Sequence, residues 1–141
     1  MFDPLGIRDW EWVGDLYGRT MVFSGLRLRP RDLAKIGQVL LDRGQWRGSQ
    51  VVPAEWVAES LRPHVAVSNA LQYGYQFWTG TVDWKGKTLA WSAAMGLGGQ
   101  RLYVVPELDL AVVITAGDYD DRLVGRTVYP IFRNIVSAVR S

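Results

Sequence analysis

The chain has 141 residues, of which 48% are hydrophobic and 21% are charged, and this composition predicts one globular unit over residues 1–141. Its 16 basic and 14 acidic residues are interspersed without a basic block, which argues against a nucleic-acid-binding protein. The absence of cysteine, the single histidine His64 and the lack of an apolar run of about 18 residues argue against disulfides, a metal site and a membrane span, so no metal or other cofactor is predicted.

The first third of the chain predicts a small irregular hairpin followed by a helix. Residues 10–28 hold two short apolar stretches, Trp12-Val13 and residues 20–23, separated by turn residues, which favours a small irregular hairpin. Residues 30–43 predict a helix, because Pro30 suits its first position and Asp32 complements its dipole. Gly44 is expected to end this helix. Its apolar face is expected to comprise Leu33, Ile36, Gly37, Leu40 and Leu41.

A second, shorter helix is predicted to start at Pro53 and to close at Arg62-Pro63. One side of it is expected to carry Trp56, Val57, Ser60 and Leu61. His64 then lies in a loop, and the sequence places neither an acid nor a nucleophile beside it. A solvated or capping role for His64 is therefore favoured over that of a catalytic base.

Strands are predicted in the second half of the chain. Residues 73–78 alternate aromatic side chains with other types and predict one strand, and residues 88–95 predict another across a turn at 83–86. Residues 94–117 predict a hairpin, because two runs rich in β-branched residues flank the turn Pro106-Glu107-Leu108-Asp109.

The two runs of that hairpin differ in pattern. In the first run, Arg101, Tyr103 and Val105 alternate with Leu102 and Val104, which predicts one partly solvated face. The second run is apolar at every position of residues 110–114, as is typical of a strand covered on both faces. We therefore predict that the second run lies inside the sheet.

The chain ends in a predicted helix that is capped within residues 118–121. Pro130 is expected to kink this helix or to mark its true start. Its apolar positions are Val124, Val128, Ile131, Ile135 and Val139. The order of elements predicts an α+β fold in which an antiparallel sheet is flanked by helices.

Four segments, taken in this order, resemble the C-terminal part of serine β-lactamase-like hydrolases. The segments are residues 25–34, 51–57, 73–78 and 98–107, the last reading Gly98-Gly99-Gln100-Arg101-Leu102-Tyr103-Val104-Val105-Pro106-Glu107. This group includes class C β-lactamases, D-alanyl-D-alanine peptidases, related esterases and 6-aminohexanoate-dimer hydrolases. The resemblance extends over nearly all of the chain and implies an incomplete β-lactamase/transpeptidase-like fold.

The resemblance also implies an acyl-transfer mechanism with a Ser-x-x-Lys nucleophile and a Tyr-x-Asn base. No serine of this chain is followed three places later by lysine, and no tyrosine is followed two places later by asparagine. We therefore expect the chain to be the C-terminal portion of a longer hydrolase whose N-terminal, nucleophile-bearing part is absent. The portion alone is expected to be inactive, and the small-molecule ester or amide substrate belongs to the longer protein.

The third motif of such hydrolases, Lys or His followed by Thr or Ser and then Gly, aligns with Ala94-Met95-Gly96. Since this segment offers neither cation nor hydroxyl, substrates with a carboxylate are disfavoured. The resemblance assigns the oxyanion-hole N–H to the backbone of Leu97, a role that needs no particular side chain. Gly96 and Gly98 are expected to keep the strand edge bare for a substrate, with Trp91 nearby as a further substrate-binding residue.

Two other functions stay open. The chain has seven tryptophans, and a non-catalytic module could stack a sugar or another ring on exposed residues such as Trp84 and Trp91. A sheet that lacks strands could also leave an open edge through which the chain associates with itself. The compartment is left open between the bacterial cytoplasm and the periplasm.

Overall fold

The computed structural model describes residues 1–117, 119 and 121–140, and the side chains of these residues outside 121–125. The helices are α1 (Pro30–Leu41), α2 (Ala54–Leu61) and α3 (Asp121–Ala138), with short 3-10 helices at Asp3–Leu5 and Pro106–Leu108. The strands are β1 (Trp10–Trp12), β2 (Leu26–Leu28), β3 (Gln45–Trp46), β4 (Ser49–Gln50), β5 (Val65–Ala66), β6 (Gln72–Tyr73), β7 (Trp78–Trp84), β8 (Lys87–Met95), β9 (Arg101–Val105) and β10 (Leu110–Ile114).

The main sheet is antiparallel throughout and has six strands in the order β10-β9-β8-β7-β6-β5. The predicted α+β class is confirmed, because helices flank this antiparallel sheet. A hairpin within residues 10–28 is present as the antiparallel pair β1-β2, but its second strand lies at Leu26–Leu28 and not at the predicted apolar stretch of residues 20–23. No helix in the described ranges is long and apolar enough to cross a membrane.

The hairpin of residues 94–117 forms as predicted, with Leu110 opposite Val105 and Ile114 opposite Arg101. The prediction about its two strands was wrong in both respects. β10 lies at the edge of the sheet, whereas four of the five residues of β9 are buried. The residues of β10 are apolar because α1 packs on one face of this strand and the main core, with Phe132 of α3, lies on the other. A strand can be covered on both faces and still lack a neighbouring strand at one edge.

The strand predicted over residues 73–78 was also wrong. β6 ends at Tyr73 and β7 begins at Trp78, and the Gly74 N–H donates to the Phe77 carbonyl at 2.7 Å to close a turn between them. A Cβ at Gly74 would lie 2.6 Å from the Ser60 carbonyl, so this bare position lets the chain turn against the end of α2.

The hairpin between β7 and β8 turns at Lys85 and Gly86. Both residues have positive φ, at 52° and 78°, as a tight two-residue turn requires. The predicted turn is therefore confirmed, about one residue later in the chain than expected. As a result, β7 continues to Trp84. The long β7-β8 ribbon that results holds most of the positions discussed below.

The two earlier helices match their predicted ranges within a few residues, but their buried faces differ in part. α1 buries Gly37 as expected and also Val39, which the predicted face omits. α2 buries Val57 and Ser60, whereas Trp56 is exposed and lies against Tyr75 with 5.8 Å between ring centroids.

The buried face of the last helix agrees with the prediction only at Val128 among the described side chains. Val128, Phe132 and Val136 are buried, while Ile131 and Ile135 are exposed. Pro130 lies inside α3 and does not mark its start. The predicted cap within residues 118–121 involves positions 118 and 120, which lie outside the described residues, and so does the side chain of Val124.

The main core lies between the sheet and α3. Its centre is an aromatic group in which Tyr103 stacks on Phe132 at 3.9 Å between ring centroids and Trp91 meets Tyr103 edge-on at 5.4 Å. Its buried members are Val82, Leu89, Trp91, Ala93, Tyr103, Val105, Val112, Phe132 and Val136. A second cluster, beside α1, is built on Leu5, Ile7 and Val39.

Candidate active-site edge

The predicted site lies where β8 outgrows its neighbour in the sheet. Ala93 pairs with Trp78, the first residue of β7, so the next residues of β8 have no partner strand on that side within the described residues. On the other side, Ala94 and Met95 remain paired with Leu102 and Arg101 of β9. β8 therefore presents one unpaired backbone edge at Ala94 and Met95, of the kind to which an extended ligand can add as a strand.

The loop after β8 is fixed by hydrogen bonds on both sides. The Gly96 N–H donates to the Gln100 carbonyl at 2.9 Å, and the Gln100 side-chain amide donates to the Ala116 carbonyl at 2.8 Å. Arg101 Nη1 donates to the Gly96 carbonyl at 2.6 Å. These bonds order the turn that follows the bare edge, and Arg101 is a contributor that sequence reasoning did not identify.

Leu97 projects from the middle of this loop. Its side chain is 67% exposed. Neighbouring groups of the loop bond to one another, but the N–H of Leu97 makes no hydrogen bond with any described residue. An unpaired backbone donor beside an unpaired strand edge is one of the elements from which an oxyanion hole is built.

Gly98 differs from its expected role. It is buried, and a Cβ at this position would lie 2.8 Å from Cε1 of Tyr119. The space beside Gly98 is therefore occupied by the Tyr119 ring and is not part of the open edge. Gly96 is exposed, so of the two glycines it is the one that leaves the edge accessible.

Comparison with known proteins addresses the fold. No protein-family model and no curated protein matches this sequence. Among solved structures, the chain matches one described as a "putative 6-aminohexanoate-dimer hydrolase" from Bacillus anthracis, with a TM-score of 0.70 and 20% sequence identity. The two share a fold. This fold agrees with the predicted β-lactamase-like fold, and the match covers 97% of this chain but only 37% of that protein.

The sugar-binding alternative requires exposed tryptophan rings, and Trp91 is not exposed. It is 3% exposed and lies in the main core against Tyr103 and Phe132. Trp84 is half-buried, its indole N–H donates to the Val139 carbonyl at 3.3 Å, and the Lys85 ammonium lies 4.9 Å from its ring centroid. Neither ring offers a free face to a sugar.

A cavity of about 390 Å³ lies on the core side of the bare edge, between the sheet and α3. Its lining includes Leu71, Trp91, Met95, Arg101, Tyr103 and Tyr129. Burial raises the pKa of the Tyr103 hydroxyl, against an opposing effect of the Arg101 charge. The structure thus brings Trp91 and Met95 together around one cavity, whereas Ala94 is directed to the opposite face of the sheet by strand alternation.

His64 lies against the end of α2. Its Nε2 is 3.0 Å from the Glu59 carbonyl, and its ring stacks on Tyr75 at 4.2 Å between centroids. A hydrogen bond from the Arg62 guanidinium lowers the pKa of the Glu59 carboxyl. These contacts agree with a capping role for His64. No group of three or more histidine, aspartate or glutamate side chains in the described residues could bind a metal ion.

Proposed function

We propose that this chain is the C-terminal part of a serine hydrolase of the β-lactamase-like type, which cleaves ester or amide bonds through an acyl-enzyme. The observation that carries the proposal is the backbone N–H of Leu97, which donates to no described residue and follows the unpaired edge of β8 at Ala94 and Met95. The fold shared with the Bacillus anthracis protein supports it.

In this proposal, the chain supplies the oxyanion donor and another polypeptide supplies the nucleophile and its base. The serine nucleophile and its base are supplied by polypeptide outside this sequence, which has neither Ser-x-x-Lys nor Tyr-x-Asn. The serine oxygen attacks the substrate carbonyl, and the carbonyl oxygen, as it gains negative charge, accepts a hydrogen bond from the Leu97 N–H. Ala94 and Met95 add no charge, so a neutral ester or amide is preferred over a substrate with a carboxylate.

The first test asks whether hydrolase activity requires the polypeptide that is proposed to carry the nucleophile. The 141-residue chain alone, and the same chain co-expressed with the polypeptide encoded upstream of it, are offered p-nitrophenyl acetate and a chromogenic cephalosporin. We expect turnover of the ester only in the co-expressed sample. Turnover by the chain alone at the same rate would contradict the proposal, as would an inactive complex that is nevertheless stably assembled.

The second test removes the oxyanion donor in the assembled, active protein. Leu97→Pro deletes the backbone N–H, and it breaks no existing hydrogen bond among the described residues because that N–H has no partner there. Leu97→Ala is the matched control, since it shortens the exposed side chain and keeps the donor. We expect Leu97→Pro to lower kcat by about 10²–10³ and Leu97→Ala to change it little. Equal effects of the two variants would contradict the oxyanion role.

One observation favours an interaction role as a second candidate. β10 is an edge strand that is apolar at all five positions, and it carries no charged residue or proline to block further strand pairing. We propose that, when the chain is alone, this edge promotes self-association. The sugar-binding alternative has no comparable support, since Trp91 is buried and Trp84 is covered.

A further inference from the structure

The cavity between the sheet and α3 begins at the residue that ends the bare edge of β8. Met95 contributes its backbone to that edge and its side chain to the lining of the cavity, whose volume is about 390 Å³. Leu97 follows two residues later, so its α-carbon lies within about 7 Å of that of Met95. The proposed oxyanion donor and the Met95 end of the cavity are therefore close to each other.

The side chains that β8 and β9 contribute to this cavity share one face of the sheet. Trp91 and Met95 are four residues apart on β8, so strand alternation directs both to the same side. Arg101 is paired with Met95, and Tyr103 lies two residues further along β9, so these side chains point to that side as well. Because Tyr103 stacks on Phe132 of α3, this is the face that α3 covers.

Three polar side chains of the lining are already engaged within the protein. Arg101 Nη1 donates to two backbone carbonyls at 2.6 and 2.8 Å, and its guanidinium also bonds to the Tyr103 hydroxyl. The Tyr129 hydroxyl donates to the Thr81 carbonyl at 3.3 Å. The apolar and aromatic members of the lining include Ala70, Leu71, Trp91, Met95 and Val128. A ligand in this cavity therefore gains chiefly from the burial of apolar surface.

We propose that this cavity receives the acyl group of the substrate, which is therefore an ester or amide of an apolar acid larger than acetic acid. The inference rests on the proposed function, since it places the substrate carbonyl at the Leu97 N–H. A substrate that lies along the bare edge as an added strand directs its substituents alternately to the two faces of the sheet, and the substituent on the Met95 side meets the cavity. An apolar cavity of about 150 Å³ is large enough for benzene, so about 390 Å³ accommodates a ring with several further carbon atoms.

The acyl group benefits from this cavity in both steps of the proposed reaction. In the first step the serine oxygen bonds to the carbonyl carbon, and the leaving group departs with its bonding electrons and the serine proton. In the second step water bonds to the same carbon, the acid is released and the serine regains its proton. The acyl group is present throughout, whereas the leaving group is lost after the first step.

A binding test uses the 141-residue chain and the 13C-labelled methyl groups of its three methionines. The probe is methyl 2-naphthoate, a neutral ester with an apolar acyl group. The Met95 signal is assigned by its loss in Met95→Leu, and Met1 and Met21, which do not line the cavity, are internal references. We expect the probe to shift the Met95 signal saturably and to leave the two references in place.

Two variants test whether the probe occupies this cavity. Ala70→Phe enlarges a side chain of the lining, and Ala66→Phe makes the same change at an alanine outside it. Both alanines are exposed, so neither change disturbs the core. Ala70→Phe should weaken binding about tenfold, whereas Ala66→Phe should not. A Met95 signal that does not respond to the probe, or equal binding by the two variants, overturns the proposal.

An activity test uses the chain co-expressed with the upstream polypeptide. The p-nitrophenyl esters of acetic, butanoic and hexanoic acids differ only in the acyl group, and we expect kcat/KM to rise about threefold to fourfold for each added methylene. Replacing phenyl acetate by 2-naphthyl acetate enlarges only the leaving group and should give no comparable rise. Turnover that does not depend on the acyl group, or that rises instead with the leaving group, overturns this inference and leaves the proposed function intact. Absence of turnover with every ester contradicts the proposed function itself.

Discussion

The indole ring of Trp91 lies directly over the α-carbon of Gly80, its partner across the β7-β8 ribbon. The same indole meets Tyr103 and Phe132 edge-on in the core. One bare position on β7 thus determines where the largest core side chain is placed. Since the Trp91 ring also lines the cavity between the sheet and α3, its position contributes to the shape of that cavity.

Gly80→Ala should therefore destabilise the chain. The new Cβ would lie 2.5 Å from Trp91 Cζ2, and a ring wedged against Tyr103 cannot retreat without disturbing the core. We expect a loss of about 1–3 kcal/mol in the free energy of unfolding, measured by urea denaturation. Gly117→Ala is the matched control, because a Cβ there meets nothing within 4 Å. Similar losses in both variants would contradict the steric explanation.

Thr79→Val should have the opposite effect on stability. The Thr79 hydroxyl is buried and makes no hydrogen bond, so its replacement by a methyl group of similar size removes an unpaid desolvation cost. We expect a gain of about 1 kcal/mol in the free energy of unfolding. Thr88→Val, at an exposed position of the neighbouring strand, should change stability by less. A destabilised Thr79→Val would show that the hydroxyl has a partner after all.

Local sequence patterns were sufficient to predict the ranges of the helices and the β9-β10 hairpin, because helix-end residues and β-branched runs depend mainly on neighbouring residues in the chain. They could not place β10, because a fully apolar strand indicates covered faces and carries no information about its edges. They also misplaced the start of β7. The alternation over residues 73–78 resembles a strand, but the turn at Gly74 depends on a distant carbonyl, that of Ser60.

The candidate site shows the same division. The resemblance was sufficient to locate the strand end at Ala94 and Met95 and the loop at Gly96 and Leu97, whereas their role in a site stays a prediction. The closure of Gly98 by Tyr119 could not be found, because the two are brought together only by the return of the chain after β10. The sequence could not show that the buried Thr79 hydroxyl lacks a hydrogen-bond partner, because that depends on which groups the fold places around it.

The open edge of β10 should make the chain alone associate with itself. Light scattering is expected to give a mass above the 15.9 kDa of one chain. Val113→Lys places a charge on β10 and should shift the mass towards the monomer, since charged residues on edge strands oppose pairing. Val65→Lys, on the two-residue strand at the opposite edge and 59% exposed, is the control and should not. A monomeric original chain would contradict this prediction.

Tyr103 should make the stability of the chain depend on alkaline pH. Burial raises the pKa of its hydroxyl above the ordinary value of 10.0, so the folded state holds this proton more tightly than the unfolded state does. The stabilisation is therefore complete below pH 10.0 and is lost as the pH rises from there through the folded-state pKa. Urea denaturation between about pH 9 and pH 11 should show a smaller decline for Tyr103→Phe than for the original chain. Tyr17→Phe, at a ring that is 83% exposed, is the control, and an unchanged decline in Tyr103→Phe would assign the pH dependence to other groups.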